Sequence, residues 1–282
     1  MYEAYYHLQA RPFQLSPDPR FFFSSKSHRR AMAYLVYGAH QGEGFIIITG
    51  EIGAGKTMLA NTLAHKLASR NLVLAQIVNT QLKADDMVRT VAAAFDLPQD
   101  DSKAVLLGRV EQFLLACNRQ GKRVILIVDE AQNLPAASVE ELRMLSNYML
   151  AARPLLQTFL LGQPEFRKTL QSPHMEQLRQ RVIASCHLGP MDSTETEAYI
   201  LHRLQTVGWR SDPSFSADAF AAIHQYTGGI PRKINVLCDR LLLMGCLDET
   251  HALSGKEVAR VIDELQQEFA PADRRVERDE AR

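Results

Sequence analysis

Apolar positions along this chain follow two regimes. Up to Pro190, short unbroken apolar runs alternate with stretches of helical period; after Pro190 only the helical period remains. The runs are Phe45–Thr49, Leu72–Val78, Arg123–Val128, Leu156–Leu161 and Val182–Leu188. They are short and rich in β-branched residues, as strands covered on both faces are. Between them, Met58, Leu59, Leu63 and Leu67 recur at helical spacing over Lys56–Ser69. Further helices are predicted near Ala84–Phe95, Lys103–Arg119 and Ser138–Leu150. Strands alternating with helices predict βαβ units, hence an α/β fold with a five-stranded parallel sheet flanked by helices.

The region after Pro190 predicts four helices, near Thr194–Val207, Ala217–Tyr226, Arg232–Cys246 and Lys256–Phe269. Asp192-Ser-Thr-Glu195 and Ser254-Gly-Lys-Glu257 match the capping box, in which a first-turn carboxylate and a cap side chain satisfy each other's backbone donors. Ahead of the first strand, three prolines in Arg11–Arg20 predict extended chain. Phe21–Phe23 offers an apolar anchor, and a helix is expected from Ser27 to Tyr37. The polar stretch Ala270–Arg282 reads as a solvated, disordered end.

One motif changes the picture from fold to chemistry. Gly50-Glu51-Ile52-Gly53-Ala54-Gly55-Lys56-Thr57, followed by Met58, matches G-x-x-x-x-G-K-[ST]. It follows a predicted buried strand and opens a predicted helix, which is the context its mechanism requires. Gly53 and Gly55 let the backbone bend and approach phosphate oxygens. The exposed amides of the loop and helix N-terminus face the anion. Lys56 supplies a mobile cation for the β- and γ-phosphates, and the Thr57 hydroxyl suits Mg²⁺. About 70 residues on, Val124-Ile-Leu-Ile-Val-Asp129-Glu130 delivers two carboxylates at a strand's C-terminal end, where open α/β sheets bind ligands. Asp129 is expected to hold Mg²⁺ and Glu130 to polarise the attacking water. With no Asn/Thr-Lys-x-Asp guanine motif present, ATP is favoured over GTP.

Composition narrows the partners. Lys plus Arg and Asp plus Glu number 32 each, so bulk charge gives no argument for a polyanion. Cys117, Cys186, Cys238 and Cys246 form no C-x-x-C pair and sit among apolar residues, as buried reduced thiols of a reducing cytosol do. No secretory signal is visible, and the longest apolar runs fall far short of the ~20 residues of a membrane span. The expectation is a cytoplasmic protein, peripheral at the inner membrane only through partners.

Several further segments carry a family resemblance: Pro17-Asp-Pro-Arg-Phe21, Asp129-Glu-Ala-Gln132, Leu142-Arg-Met-Leu-Ser-Asn147, Leu161-Gly-Gln-Pro-Glu165, Gln177-Leu-Arg-Gln-Arg181 and Gly229-Ile-Pro-Arg-Lys-Ile-Asn235. In this order, with the P-loop, they resemble the AAA+ ATPases of the general secretion pathway A (ExeA-like) group. Within it the chain looks most like the subfamily linked to exosortase/PEP-CTERM loci and exopolysaccharide genes. The resemblance implies a P-loop AAA+ (ASCE) domain followed by a small all-α lid. The expected divisions are 1–44, an extended segment and helix packing on the nucleotide site; 45–190, the ATPase domain; 191–269, the lid; and 270–282, the tail.

The resemblance also implies roles. Gln163 matches the sensor 1 position, although many AAA+ proteins carry Asn, Ser or Thr there, and it reads also as a loop residue capping a strand end. Arg181, or Arg179 two residues away, fits an arginine finger acting in a neighbouring subunit, which implies a homo-oligomer, a ring of the hexamer type. Arg232 matches sensor 2, reaching from the lid to the phosphates. Asp18–Phe21 is placed near adenine, with Tyr34 or Leu35 as further candidates. Some longer relatives continue into a membrane span and a peptidoglycan-binding region, neither of which is present here. The function implied is an Mg²⁺-dependent ATPase serving an envelope export system through protein partners. A DNA-binding regulator of the transposition type is the alternative, against which the neutral charge argues. A slowly turning nucleotide switch is a third reading.

Overall fold

The computed structural model describes residues 1–42, 44–67, 71–78, 84–99 and 102–268. The tail expected over 270–282 lies outside these residues, as do the last positions of the helices expected to reach Ser69 and Phe269. In chain order the elements are α1 (Tyr2–Tyr5), α2 (Lys26–Gln41), β1 (Phe45–Gly50), α3 (Lys56–Leu67), β2 (Leu72–Ile77), α4 (Ala84–Ala94), α5 (Lys103–Arg119) and β3 (Arg123–Val128). There follow α6 (Ala136–Leu145), β4 (Met149–Leu150), β5 (Arg153–Pro154), β6 (Leu156–Gly162), α7 (Glu165–Gln171), α8 (Glu176–Arg179) and β7 (Val182–Leu188). Last come α9 (Ser193–Thr206), β8 (Ser214–Phe215), α10 (Ala217–Thr227), α11 (Pro231–Leu247), β9 (Ala252–Leu253) and α12 (Gly255–Glu268). The chain divides into two compact units: Lys26–Gly189, and Met1–Ser25 together with the residues from Pro190 onward.

The first unit is built on a parallel sheet of order β2-β3-β6-β1-β7. The five expected strands are these five. Every residue of β1 is buried, and in β3 only Arg123 is exposed, because helices cover both faces. Strand β6 lies between β1 and β3, pairing Thr49 with Gly162 on one side and Val128 with Leu160 on the other. The loops that leave the carboxyl ends of β1, β6 and β3 are therefore neighbours, although they are far apart in sequence. Helix α2 buries His28, Ala31, Met32, Leu35 and Ala39, one stripe at helical spacing. Its C-terminal carbonyls are held by β3, where Arg123 Nη1 donates to Ala39 O at 2.5 Å and His40 O at 3.3 Å.

One expected element is shorter than its sequence suggests. The helix predicted to reach Leu150 ends at Leu145, and a hairpin of β4 and β5 follows. Ala151 and Ala152, between the two strands, both adopt the left-handed conformation, with φ of 49° and 62°. That pair gives the twist a two-residue hairpin needs, at positions where Gly or Asn is the usual choice.

The second unit holds α9 to α12, α1 and the irregular N-terminal segment around one apolar core, to which Tyr6, Phe13, Phe21, Ile200, Leu237 and Val258 contribute. Asp192 caps α9 by accepting from Glu195 N at 2.8 Å, and the Glu195 side chain accepts from Asp192 N, so this capping box is complete. Glu257 accepts from Ser254 N at 2.9 Å at the head of α12. The segment expected as one piece over 1–44 divides at Ser25. Helix α2 belongs with the sheet, whereas the chain before it is drawn into the helical core by its aromatic residues and by Arg203, which donates to Pro12 O and Gln14 O.

Candidate nucleotide site

The loop from Gly50 to Thr57 joins β1 to α3, with Gly53 and Gly55 at φ of 80° and 92°. Glu51 and Ile52 stand exposed at its crest, and Ala54 is buried beneath. Lys56 is buried, and its Nζ donates to Gly50 O at 2.8 Å and Glu51 O at 3.1 Å. Burial pulls this ammonium below the usual lysine range, against the opposing pull of Glu130 and Asp129. A buried cation paired only with local carbonyls is one that an anion can recruit.

Thr57, in the first turn of α3, donates its hydroxyl to Asp129 Oδ2 at 2.5 Å. Asp129 leaves the end of β3 nearly buried, and its Oδ1 accepts from Glu130 N at 2.9 Å. Hard oxygens from one hydroxyl and one carboxylate fit Mg²⁺, which takes few protein ligands and completes its shell with phosphate oxygens and water. In keeping with this, no group of three His, Cys, Asp or Glu residues arranged for a metal occurs among the described residues.

Glu130 adopts the left-handed region, φ 50° and ψ 40°, where a side chain other than glycine is uncommon. That turn aims its carboxylate at the end of β6. There Gln163 Nε2 donates to Glu130 Oε2 at 3.1 Å. Gln132 Nε2 donates to the same oxygen, and Gln132 Oε1 accepts from Gln163 N at 2.9 Å.

The expected residues thus fall into three groups. Lys56, Thr57, Asp129, Glu130 and Gln163 stand together at the carboxyl edge of the sheet. Arg181 and Arg179 belong to the same unit but are engaged elsewhere. Arg181 Nη1 donates to Ser146 Oγ at 2.7 Å, and Arg179 Nη1 to the carbonyls of Leu170 and Ser172 at 2.5 and 2.8 Å. Arg232 lies in the helical unit, exposed on the first turn of α11 behind Pro231. Of the adenine candidates, Leu35 is wholly buried in the stripe of α2 and so is closed to a ligand. Tyr34 lines a cavity of ≈ 240 Å³ with Arg30, Cys186 and His187. Asp18–Phe21 lies in the helical unit, where Asp18 accepts from Arg20 N and Phe21 is buried under the Arg203 guanidinium, 4.6 Å from the ring centre. All four cysteines are free thiols, and burial pushes Cys117, Cys186 and Cys238 upward, Cys186 to about 11.

One neighbour of the loop escaped sequence reasoning. His28 is buried on α2, and a Cβ placed on Gly55 would come within 2.9 Å of its Nε2. The signal was there: His28 is the single polar member of the buried stripe that Ala31, Met32, Leu35 and Ala39 continue.

Residues 39–170 match the AAA domain family (AAA_22). The chain is 36% identical over 273 residues to "General secretion pathway protein A" of Aeromonas hydrophila, covering 94% of this chain and 50% of that protein. It therefore spans about half the length of this curated relative. Among solved structures it superposes on Cdc6p of Pyrobaculum aerophilum with a TM-score of 0.70 at 14% identity, covering 90% of this chain and 70% of that one. For the ORC2 protein of Aeropyrum pernix the TM-score is 0.67 at 14% identity, over 91% and 72%. For RuvB of Thermotoga maritima it is 0.59 at 18%, over 85% and 68%. These likenesses concern the fold. No helix among the described residues is long and apolar enough to cross a membrane. Residues 39–170 therefore have the P-loop AAA fold, in a chain similar along 94% of its length to a general secretion pathway protein A.

Proposed function

We propose that this chain binds ATP with Mg²⁺ and hydrolyses it to ADP and phosphate. The observation that carries the reading is the convergence of Lys56, Thr57, Asp129 and Glu130 at one sheet edge, with the Thr57 hydroxyl 2.5 Å from Asp129. In this reading the loop amides and Lys56 cradle the β- and γ-phosphates, with Lys56 exchanging its carbonyl partners for phosphate oxygens. Thr57 and Asp129 would hold Mg²⁺, which would offset phosphate charge there. Glu130 orients a water and accepts its proton as the water oxygen bonds to the γ-phosphorus. The bond from that phosphorus to the β–γ bridging oxygen breaks, its electron pair leaving with ADP. Gln163 contacts the γ-phosphate. Arg232 is assigned the sensor 2 role that its Gly229-Ile-Pro-Arg motif implies.

Arg181 acts in the site of a neighbouring copy, so the working form is an oligomer; within its own copy it stands just before the start of β7 and donates to Ser146 Oγ. The relationship to a general secretion pathway protein A supports a role in envelope export, through protein partners at the cytoplasmic face of the inner membrane. The resemblance to the exosortase-linked branch points the proposal to an exopolysaccharide export system in particular. Phosphate release measured against protein concentration tests the whole reading. Turnover per subunit should rise as the protein assembles and vanish in Lys56→Ala, while Glu130→Gln should bind ATP without turning over. Normal hydrolysis by Glu130→Gln defeats the assignment, and a flat rate per subunit in a protein that stays monomeric defeats the Arg181 role.

A further inference from the structure

The carboxylate of Glu130 and the amide of Gln163 do not meet alone, because a third side chain closes a ring with them. Gln132 sits in the tight turn Ala131–Asn133 that follows Glu130. Its amide faces both partners: Nε2 donates to Glu130 Oε2, and Oε1 accepts from the backbone N–H of Gln163 at 2.9 Å. Gln163 Nε2 donates to that same carboxylate oxygen at 3.1 Å. The orientation of the Gln132 amide is fixed by chemistry. Turned over, its oxygen would face a carboxylate and its NH₂ an N–H, so both contacts would become repulsive.

We infer that Gln132 is a positioning residue for the hydrolysis proposed above, on which this inference rests. It holds the Glu130 carboxylate in its left-handed turn and ties that turn, at the end of β3, to the end of β6. Neighbouring strands β3 and β6 supply a rigid base, so a shift of the β6 end at Gln163 is carried to Glu130 through the Gln132 amide as well as through the Gln163 side chain itself. The base is thereby set to the state of the nucleotide rather than by its own backbone alone. Gln132 itself touches neither phosphate nor water in this scheme. Misplacing a catalytic group by about 1 Å costs roughly a hundredfold in rate, which sets the scale of the expected loss.

The test is steady-state ATP hydrolysis by the full chain with Mg²⁺, separating kcat from KM. Gln132→Ala should lower kcat by about tenfold to a hundredfold with KM within about twofold. Gln132→Glu, which sets a carboxylate against a carboxylate, should lower it at least as far. Because Gln132 and Gln163 act as one unit, the double variant Gln132→Ala/Gln163→Ala should lose little more than the worse single variant. A kcat for Gln132→Ala within twofold of the unsubstituted protein overturns the inference, as do losses that simply multiply in the double variant. Should Gln132→Ala lack a cooperative thermal transition, Gln132→Glu and Gln132→Asn carry the test on the same criteria. A failure of the ATPase reading looks different: the unsubstituted protein then shows no turnover above that of Lys56→Ala.

Discussion

Among the described residues each unit buries one long cationic side chain, Lys56 in one and Arg203 in the other, and the two are held in opposite ways. Lys56, in the sheet unit, has two partners, both carbonyls of the loop it belongs to. Arg203, in the helical unit, donates to Pro12 O at 2.5 Å, Tyr199 Oη at 2.8 Å and Gln14 O at 3.1 Å, with its guanidinium over the rings of Phe21 and Tyr199. Tyr199 in turn donates to Asn235 Oδ1 at 2.8 Å. Arg203 gathers segments nearly two hundred residues apart into a closed network, and nothing remains for a ligand to take. Lys56 is loosely provided for, as a group awaiting an anion must be. The number and origin of a buried cation's partners, rather than its burial, separates a binding group from a fastening one.

That contrast can be broken experimentally. Lys56→Ala should abolish ATP turnover, by a hundredfold or more on the scale of about 10²–10³ for one lost electrostatic contact, while changing unfolding free energy by less than about 1 kcal/mol. Urea denaturation and phosphate release on the same sample decide it; a large stability loss would place Lys56 with Arg203. Arg203→Met should behave in reverse. It should cost about 3 kcal/mol of stability, because it strands the carbonyls of Pro12 and Gln14, yet leave turnover per folded molecule within twofold. Comparable stability to the unsubstituted protein would show that the network fastens nothing. Gly55→Ala sharpens the loop side. An added methyl at φ 92° and 2.9 Å from His28 Nε2 should weaken ATP affinity about tenfold, since a left-handed alanine costs about 1–2 kcal/mol. His28→Ala in that background should recover part of the loss, and no recovery would mean that the backbone alone is responsible. Smallest of all, Asp192→Ala should remove about 1 kcal/mol of stability through the lost cap of α9 and nothing from turnover. A change in ATP affinity for this variant would make the cap more than a helix stop.

The sheet and the P-loop were legible because they rest on local rules. Five apolar runs bounded by polar chain can hardly be anything but buried strands, and the glycine spacing of Gly50–Thr57 encodes its own backbone. What sequence left open depended on distant residues meeting. The end of α6 was missed because a hairpin follows it in which Ala151 and Ala152, both helix formers, take the left-handed conformation that the pairing of β4 with β5 sustains. Gln132 was visible as part of a motif, but its role requires β3 and β6 to lie side by side. His28 needed α2 laid against the loop. The engagement of Arg181 with Ser146 joins the end of α8 to the end of α6, which no periodicity reports.

The division at Ser25 has a consequence for how the molecule comes into being. Tyr2, Tyr6, Phe13 and Phe21 belong to a core whose other walls are α9 to α12. These aromatic groups leave the ribosome before Lys26–Gly189, and their partners follow only after the whole of that stretch has been made. At about 5–20 residues per second, that interval is on the order of ten seconds or more. Throughout it a sticky, unpartnered segment precedes a sheet whose last strand, β7, is still to be made. During synthesis this leading stretch is thus an open invitation to chaperones and to self-association, and the finished helical unit is what withdraws it.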